Sequence, residues 1–386
     1  MRDSNRSAII ANFANNGILK AAVLADAAHV NTQRWCEGLM GAGIELHVIS
    51  FQGEVPSAKR NYHLPFRRLP GKLSYFAAAP FVRRLLKQIQ PDLLLAYYVT
   101  GYGTLGMLTG FHPLVLVTAG SDVLIKPKNP ILARIRRHNL AQADLITAWA
   151  PHMAEAAVGC GASRERIFIL PRGIPVEVFS KCQSTVPKAG DPLRLSSTRS
   201  LRAPYRIDLL IRSVAHLRQT GLNVELMIMG EGPERFKLEE LSKSLKIDPY
   251  VRFAGFVCNE DLPGELAKTH VYVSVAFSDG VSASLLESMA VGLIPVVPDI
   301  EANRFWIEHG KNGILLESDD PCMIASGIRA AFEKLGSQPE IRNQNRRLVM
   351  ENANFQENSR KYRLRFEELV QQFRMGRPDG RVKELA

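Results

Sequence analysis

A chain of 386 residues, 46% hydrophobic and 23% charged, is long enough for two globular domains with cores of their own. No apolar run reaches the roughly 20 residues that cross a bilayer, and the polar start MRDSNRSAIIANFANN lacks the apolar segment of a secretory leader, so a cytoplasmic protein is expected. The net charge of +11 is lopsided, with residues 1–187 holding 21 Lys/Arg against 11 Asp/Glu, and Cys36, Cys160, Cys182, Cys258 and Cys322 have no Cys-x-x-Cys spacing, which argues against a disulfide framework or a zinc site.

In chain order, apolar β-branched runs at 19–25, 45–51, 92–98, 114–118, 144–149 and 167–170 predict the strands of a first parallel sheet. Between the second and third of these lies a block, 55–91, with eight basic residues (Lys59, Arg60, Arg67, Arg68, Lys72, Arg83, Arg84, Lys87) and no acid. Interleaved Leu69, Leu73, Tyr75, Phe76 and Phe81 give it the composition of a segment lying on acidic lipid, with a solvated helix as the plainer reading. No nucleic-acid-binding motif accompanies the charge, so nucleic acid is not expected as a partner. The polar stretch SKCQSTVPKAGDP then breaks the pattern. Strands at 193–197, 223–229, 250–254, 271–275 and 294–297, separated by helices at 207–219, 233–245 and 284–291, predict a second doubly wound domain. A charged helical stretch over 340–373 and a short tail follow.

The chemistry concentrates between His270 and Gly313. The strand VYVSVAF ends at Ser278-Asp279-Gly280, after which SASLLESMA reads as a helix. This geometry aims the backbone N–H groups of Ser282, Ala283 and Ser284 into the crevice at the carboxyl end of the strands, where phosphates bind. Glu287 lies one turn in, placed to accept hydrogen bonds from sugar hydroxyls, and Asp279 stands at the strand end facing a developing cation. The plainer readings are an Asp-Gly turn for Asp279 and a surface arginine for Arg199. A carboxylate such as Glu287 inside an apolar helix is costly without polar partners, which favours a functional role. His29, in HVNTQRW, and Asp122 each read equally as part of a helix cap, and Trp35 as core.

These motifs resemble the retaining glycosyltransferases of family 4 over roughly residues 19–370. The Glu-x7-Glu pair of that family is matched by Asp279-GVSASLL-Glu287 with Asp in the first position, and its diphosphate-binding arginine by Arg199 in SSTRSLRAPYRIDLL. The family lysine falls near Tyr205, with Arg202 or Arg206 as substitutes of different geometry. LPRGIPVEVF, MIMGEGPE and ADAAHVNTQRW are further matches, whereas TAGSD places Ala119 where relatives often carry an aromatic residue or histidine, and Tyr97 stands where many have histidine.

The resemblance implies a GT-B fold, two doubly wound Rossmann-like α/β domains facing across a cleft. The expected organisation is an extension over 1–18, an acceptor-binding domain over 19–185, a nucleotide-sugar donor domain over 190–350, a helix over 351–373 crossing back to the first domain, and a tail over 374–386. It implies transfer of a hexose-type sugar from a nucleoside diphosphate to an acceptor hydroxyl with retention, in lipid-linked or envelope glycan synthesis, at the inner face of the membrane. Asp279, Glu287 and Arg199 are the catalytic candidates. Donor contacts fall to Arg199, Arg202, Arg206, Gly230, Gly280, Val281, Ser282, Ala283, Ser284 and Glu287, and acceptor contacts to His29, Asn31, Tyr97 and Asp122. With no Asp-x-Asp motif, no metal or other cofactor is expected. Two alternatives remain at this point: a non-catalytic nucleotide-sugar-binding protein, and a serine hydrolase using Ser282 in the near-elbow Gly280-Val281-Ser282-Ala283-Ser284.

Overall fold

The computed structural model describes residues 18–67, 69 and 73–376, and most of the expected N-terminal extension and tail lie outside them. The chain divides into two compact units. One takes the chain up to residue 172 and again from 356, and the other holds 173–355.

The first unit is built on strands β1 (Lys20–Leu24), β2 (Glu45–Ser50), β3 (Arg60–His63), β4 (Leu93–Tyr97), β5 (Leu114–Val117), β6 (Leu145–Ala148) and β7 (Ile167–Ile169), paired in parallel in the order β3-β2-β1-β4-β5-β6-β7. Central strands such as LLLAY are buried along their whole length, as expected where helices cover both faces. Its helices are α1 (Val30–Gly41), α2 (Leu73–Ile89), α3 (Tyr102–Thr109), α4 (Ser121–Leu124), α5 (Pro130–Gln142) and α6 (Pro151–Gly159).

The second unit contains α7 (Val176–Phe179), β8 (Leu193–Ser197), α8 (Ile207–Gln219), β9 (Val224–Ile228), α9 (Arg235–Ser244), β10 (Val251–Phe253), α10 (Leu262–Ala267), β11 (Val271–Val273), α11 (Ala283–Val291), β12 (Ile294–Pro298), α12 (Glu301–Arg304), β13 (Ile314–Leu316), α13 (Pro321–Ser337) and α14 (Ile341–Asn352). Its six parallel strands run β10-β9-β8-β11-β12-β13. One face packs Leu210, Ile211 and Val214 of α8 with Ile324 and Ile328 of α13, and the other packs Leu285, Met289 and Ala290 of α11 with Val349 of α14.

Both sheets reverse their strand order once, at β1/β4 and at β8/β11, and in open α/β sheets ligands bind beyond the carboxyl ends of the strands at such a point. In the second unit this places the loops after β8 and β11 side by side. They carry Arg199 and Asp279.

Several expectations are modified. The basic block 55–91 contains edge strand β3, whose RNYH has no buried residue and therefore no apolar pattern to announce it. In α2 the residues Ala78, Val82, Leu85, Leu86 and Ile89 are buried, so much of the block's apolar side serves the core. Leu73, Phe76 and Phe81 remain exposed beside Arg83, Arg84 and Lys87. The stretch 180–192 does not link the two units but lies within the second, where Arg346 donates to the Ser180 carbonyl at 2.8 Å.

The helical stretch over 340–373 is broken near Ala353. There Ile174 N–H donates to the Ala353 carbonyl at 2.9 Å, and Phe355 N–H donates to the Ile174 carbonyl at 2.9 Å. Gly173, at φ +83, passes so close that an added Cβ would lie 2.5 Å from the Ala353 oxygen. Beyond the break, α15 (Phe355–Met375) packs in the first unit. Its Arg363 donates to the Ala42 carbonyl at 2.7 Å and Asn358 to the Pro171 carbonyl at 3.0 Å.

Candidate active site

The loop after β8 is shaped by a close approach from the loop after β9. A Cβ on Gly230 would sit 2.2 Å from the Arg199 carbonyl oxygen, and one on Gly232 would sit 2.3 Å from that of Leu201. Only glycine allows that contact. Gly230 therefore supports the Arg199 loop from behind.

Arg199 is buried, 8% exposed. Its Nη2 donates to Asp279 Oδ2 at 2.8 Å and its Nη1 to Ser282 Oγ at 2.8 Å, and the guanidinium lies 4.3 Å from the centre of the Tyr205 ring. Burial opposes the charge, but the Tyr272 oxygen and the Asp279 carboxylate outweigh it, and the guanidinium is held above its ordinary value. Asp279 Oδ1 also accepts from Gly280 N–H at 2.9 Å. The arginine is thus fixed on three sides, by carboxylate, hydroxyl and ring.

Ser282 is the N-cap of α11. Its Oγ accepts from Leu285 N–H at 3.3 Å, which leaves the first-turn amides of the helix directed along its axis. Glu287, one turn in, is 7% exposed among Leu285, Leu286, Met289 and Ala290. Gly292, in the left-handed region at φ 91, closes the helix.

Arg206 begins α8 at φ 52, a left-handed conformation disfavoured for any residue with a Cβ. It forms an ion pair with Asp319, whose carboxyl it holds below the usual range, first by the hydrogen bond and then by its charge. Arg202 is exposed. The structure therefore gathers Arg199, Gly230, Asp279, Gly280, Ser282 and the head of α11 around one switch point. Tyr205 and Asp319 were missed as members of these clusters. Their partners lie 6 and 113 positions away, and no local pattern couples Arg206 to Asp319.

The four acceptor-side candidates all lie in the first unit and all have local duties. His29 caps α1, its Nδ1 accepting from Asn31 N–H at 3.1 Å, and Asn31 Oδ1 accepts from Arg172 at 3.1 Å. Asp122 accepts from Val99 N–H at 3.1 Å and Ala119 N–H at 3.0 Å. Burial pushes its carboxyl up, against these donors. Tyr97 is buried with its phenol pushed far up by desolvation, and neither its hydroxyl nor Trp149 Nε1 has a hydrogen-bond partner among the described residues. Among those residues, no three His, Cys, Asp or Glu side chains converge as metal ligands.

The comparisons with known proteins follow this division. Residues 195–334 match the family model described as "Glycosyl transferases group 1", and residues 20–149 match "Glycosyl transferase 4-like". Each unit thus contains one stretch similar to a glycosyltransferase family model. Among curated relatives, the peptide N-acetylglucosaminyltransferase GtfA subunit of Streptococcus agalactiae is 30% identical over 38% of this chain and 29% of its own length. The lipopolysaccharide core biosynthesis glycosyltransferase LpsE of Rhizobium meliloti is 30% identical over 34% and 36%. The D-inositol 3-phosphate glycosyltransferase of Pseudarthrobacter chlorophenolicus is 26% identical over 72% and 70%. The chain spans less than half the length of the first relatives it matches.

Among solved structures, a Rickettsia africae glycosyltransferase superposes at TM-score 0.78 and 13% identity over 92% of this chain and 99% of that one. Anabaena Alr3699/HepE, in complex with UDP and glucose, superposes at 0.74 and 15% over 91% and 100%. The two parallel-sheet domains match the GT-B fold of these structures.

Proposed function

We propose that the protein is a retaining glycosyltransferase that moves a hexose-type sugar from a nucleoside diphosphate to an acceptor hydroxyl in polysaccharide or envelope glycan synthesis. The observation that carries this reading is the Arg199–Asp279 pair at the head of α11, with Glu287 buried one turn behind it. In the reaction the acceptor oxygen bonds to the anomeric carbon as the bond from that carbon to the phosphate oxygen breaks. The electron pair leaves with the diphosphate, which takes up the acceptor proton. Arg199 and the first-turn amides of α11 meet the departing charge. Asp279, held in place by Arg199, faces the cationic anomeric centre, and Glu287 receives the ribose hydroxyls. In this reading Arg199 and the helix amides carry the positive charge, and no metal is invoked.

The hydrolase alternative loses its support, because Ser282 has an ordinary extended backbone, φ −80 and ψ 104, rather than a strained elbow. Its Oγ accepts hydrogen bonds from Arg199 and Leu285. The nearest later histidine in sequence, His309, has its Nδ1 occupied by Leu315 N–H at 3.1 Å.

A thermal-shift and calorimetric screen against UDP, GDP, ADP and their sugars tests the reading. One nucleotide should stabilise the protein by about 2.7 kcal/mol at a hundredfold excess over Kd, and the effect should vanish in Glu287→Ala and fall sharply in Arg199→Lys. Stabilisation by none of them would end the proposal.

The exposed apolar and basic face of α2 supports action at an anionic membrane surface in the cytoplasm, where the acceptor would be lipid-linked. Among the described residues no helix is long and apolar enough to cross a membrane. Vesicles containing phosphatidylglycerol should retain the protein at low salt and release it when Phe76 and Phe81 are both changed to Ser. Equal retention of both proteins would remove the membrane from the account.

A further inference from the structure

A second feature of the same sheet edge lies on the other side of Asp279 from the β8/β9 loops. A cavity of about 420 Å³ opens at the carboxyl ends of β11, β12 and β13, lined by Val275, Phe277, Ile300 and Leu316 together with Arg206, Asp299, Glu317 and Asp319. It does not include Arg199, Ser282 or Glu287.

The two walls differ in chemistry. One is apolar and ends in Phe277, which is 62% exposed. Large exposed aromatics beside a cavity commonly stack on a ligand. The other wall is rich in hydrogen-bond acceptors. Asp299 is held in a two-point fork by Arg304, which donates from Nε to Oδ1 at 2.5 Å and from Nη2 to Oδ2 at 2.8 Å and leaves the second lone pair of each oxygen for a further donor, and Asp319 pairs with Arg206. Both carboxyl groups are held below their ordinary values, each first by its hydrogen bond from the arginine, so they stay ionised acceptors at neutral pH. Glu317 adds a third carboxylate, which makes no ion pair among the described residues, so acids outnumber Arg206 and Arg304 around the opening.

Those facts select among ligand classes. A phosphate would meet excess negative charge and two arginines already committed. A wholly apolar ligand would strand carboxylates. A hydroxyl-rich neutral ring satisfies both walls, its C–H face on the phenyl ring and its hydroxyls donating to carboxylates. Arg206 is held to this task by a backbone conformation, φ 52, that residues with a Cβ rarely adopt, and such outliers cluster where a site over-determines them.

We propose that this cavity is a subsite for an uncharged sugar ring, with Phe277 as its stacking platform and Asp299 and Asp319 as its hydroxyl acceptors, separate from the surface at Arg199 that receives the diphosphate. That the ring belongs to a substrate rests on the glycosyltransferase reading; the recognition chemistry does not.

The test titrates the full chain with methyl glucoside, methyl galactoside and methyl N-acetylglucosaminide, with glucose 1-phosphate as the charged control, and in parallel with UDP, GDP and ADP. Saturation-transfer NMR and calorimetry report binding to the unmodified protein, Phe277→Ala and Asp319→Asn. Both replaced side chains are exposed, so both variants should fold. At least one glycoside should bind with a Kd in roughly the millimolar range, weaken about fivefold or more in each variant, and outcompete glucose 1-phosphate, while nucleotide affinity stays unchanged.

Nucleotide binding without glycoside binding, glycoside affinity indifferent to both substitutions, or preference for the phosphorylated sugar would each overturn the subsite and leave the transferase reading intact. Glycoside binding as expected with no nucleotide bound would keep the subsite and remove the transferase reading. Binding of neither would remove both.

Discussion

The two sheets share a strand-order reversal, yet the carboxyl ends of their switch points are furnished in opposite ways. In the second unit the ends of β8 and β11 carry a desolvated ion pair, an N-capped helix and glycines cut to let one loop press on another. In the first, the neighbourhood of β4 is aromatic. Trp35 meets Tyr97 and Tyr362 edge-on, with ring centres 5.8 and 6.2 Å apart, and Asp122 is spent on backbone amides. The same kind of switch point therefore borders a buried charged cluster in one unit and a buried aromatic cluster in the other. What separates them is the side chains delivered by the loops.

The first way to sharpen this contrast is to remove the aromatic keystone. Trp35→Ala should cost about 4 kcal/mol, with hydrogen-exchange protection lost from β1, β4 and α15 and retained in β8, β11 and α11. Loss spread evenly over both units would break the comparison. A slightly smaller effect is expected from Asp279→Ala, which leaves Arg199 buried without its carboxylate, at about 3 kcal/mol in urea unfolding. Replacing both residues by apolar ones should recover part of that stability while donor binding remains absent.

Next comes pH. Burial, and then Arg194 and Arg342, lower the His270 imidazole from 6.5 to about 4, so its neutral form is the native one. Its contribution is complete above pH 6.5 and is lost as pH falls from there toward 4, up to about 3 kcal/mol. His270→Gln should flatten that part of the stability profile relative to the parent protein. The smallest effect belongs to the surface pair of Arg374 and Asp92, 2.6 Å apart. Arg374→Ala should cost about 0.5 kcal/mol and less in high salt.

Much of this architecture was legible because buried parallel strands are near-continuous apolar runs. β8 and α8 fall on the residues their patterns predict, Leu193–Ser197 and Ile207–Gln219. The failures are physical. An exposed edge strand like RNYH has no burial pattern, three-residue β13 is too short to have one, and the break near Ala353 is imposed by hydrogen bonds to Ile174, 179 positions earlier.

At the site, Asp279 and Glu287 could be picked out because a turn and a helix have local signatures, and Arg199 because its stretch resembles the family's diphosphate-binding segment. Their pairing could not. That Arg199 is held by a carboxylate 80 positions later, over a tyrosine ring where a lysine was expected, depends on which loops the sheet order brings together. The cavity beside Phe277 was invisible for the same reason, since its walls come from four separate loops.

Helix α15 closes the core of the first unit, with Tyr362 among Trp35, Phe168 and Phe366. During synthesis, however, that helix emerges from the ribosome only after all of 173–355 has been made. The unit that begins first is therefore finished last. Until then its nascent sheet carries an uncovered aromatic face, whereas the second unit has every one of its elements before the chain is complete.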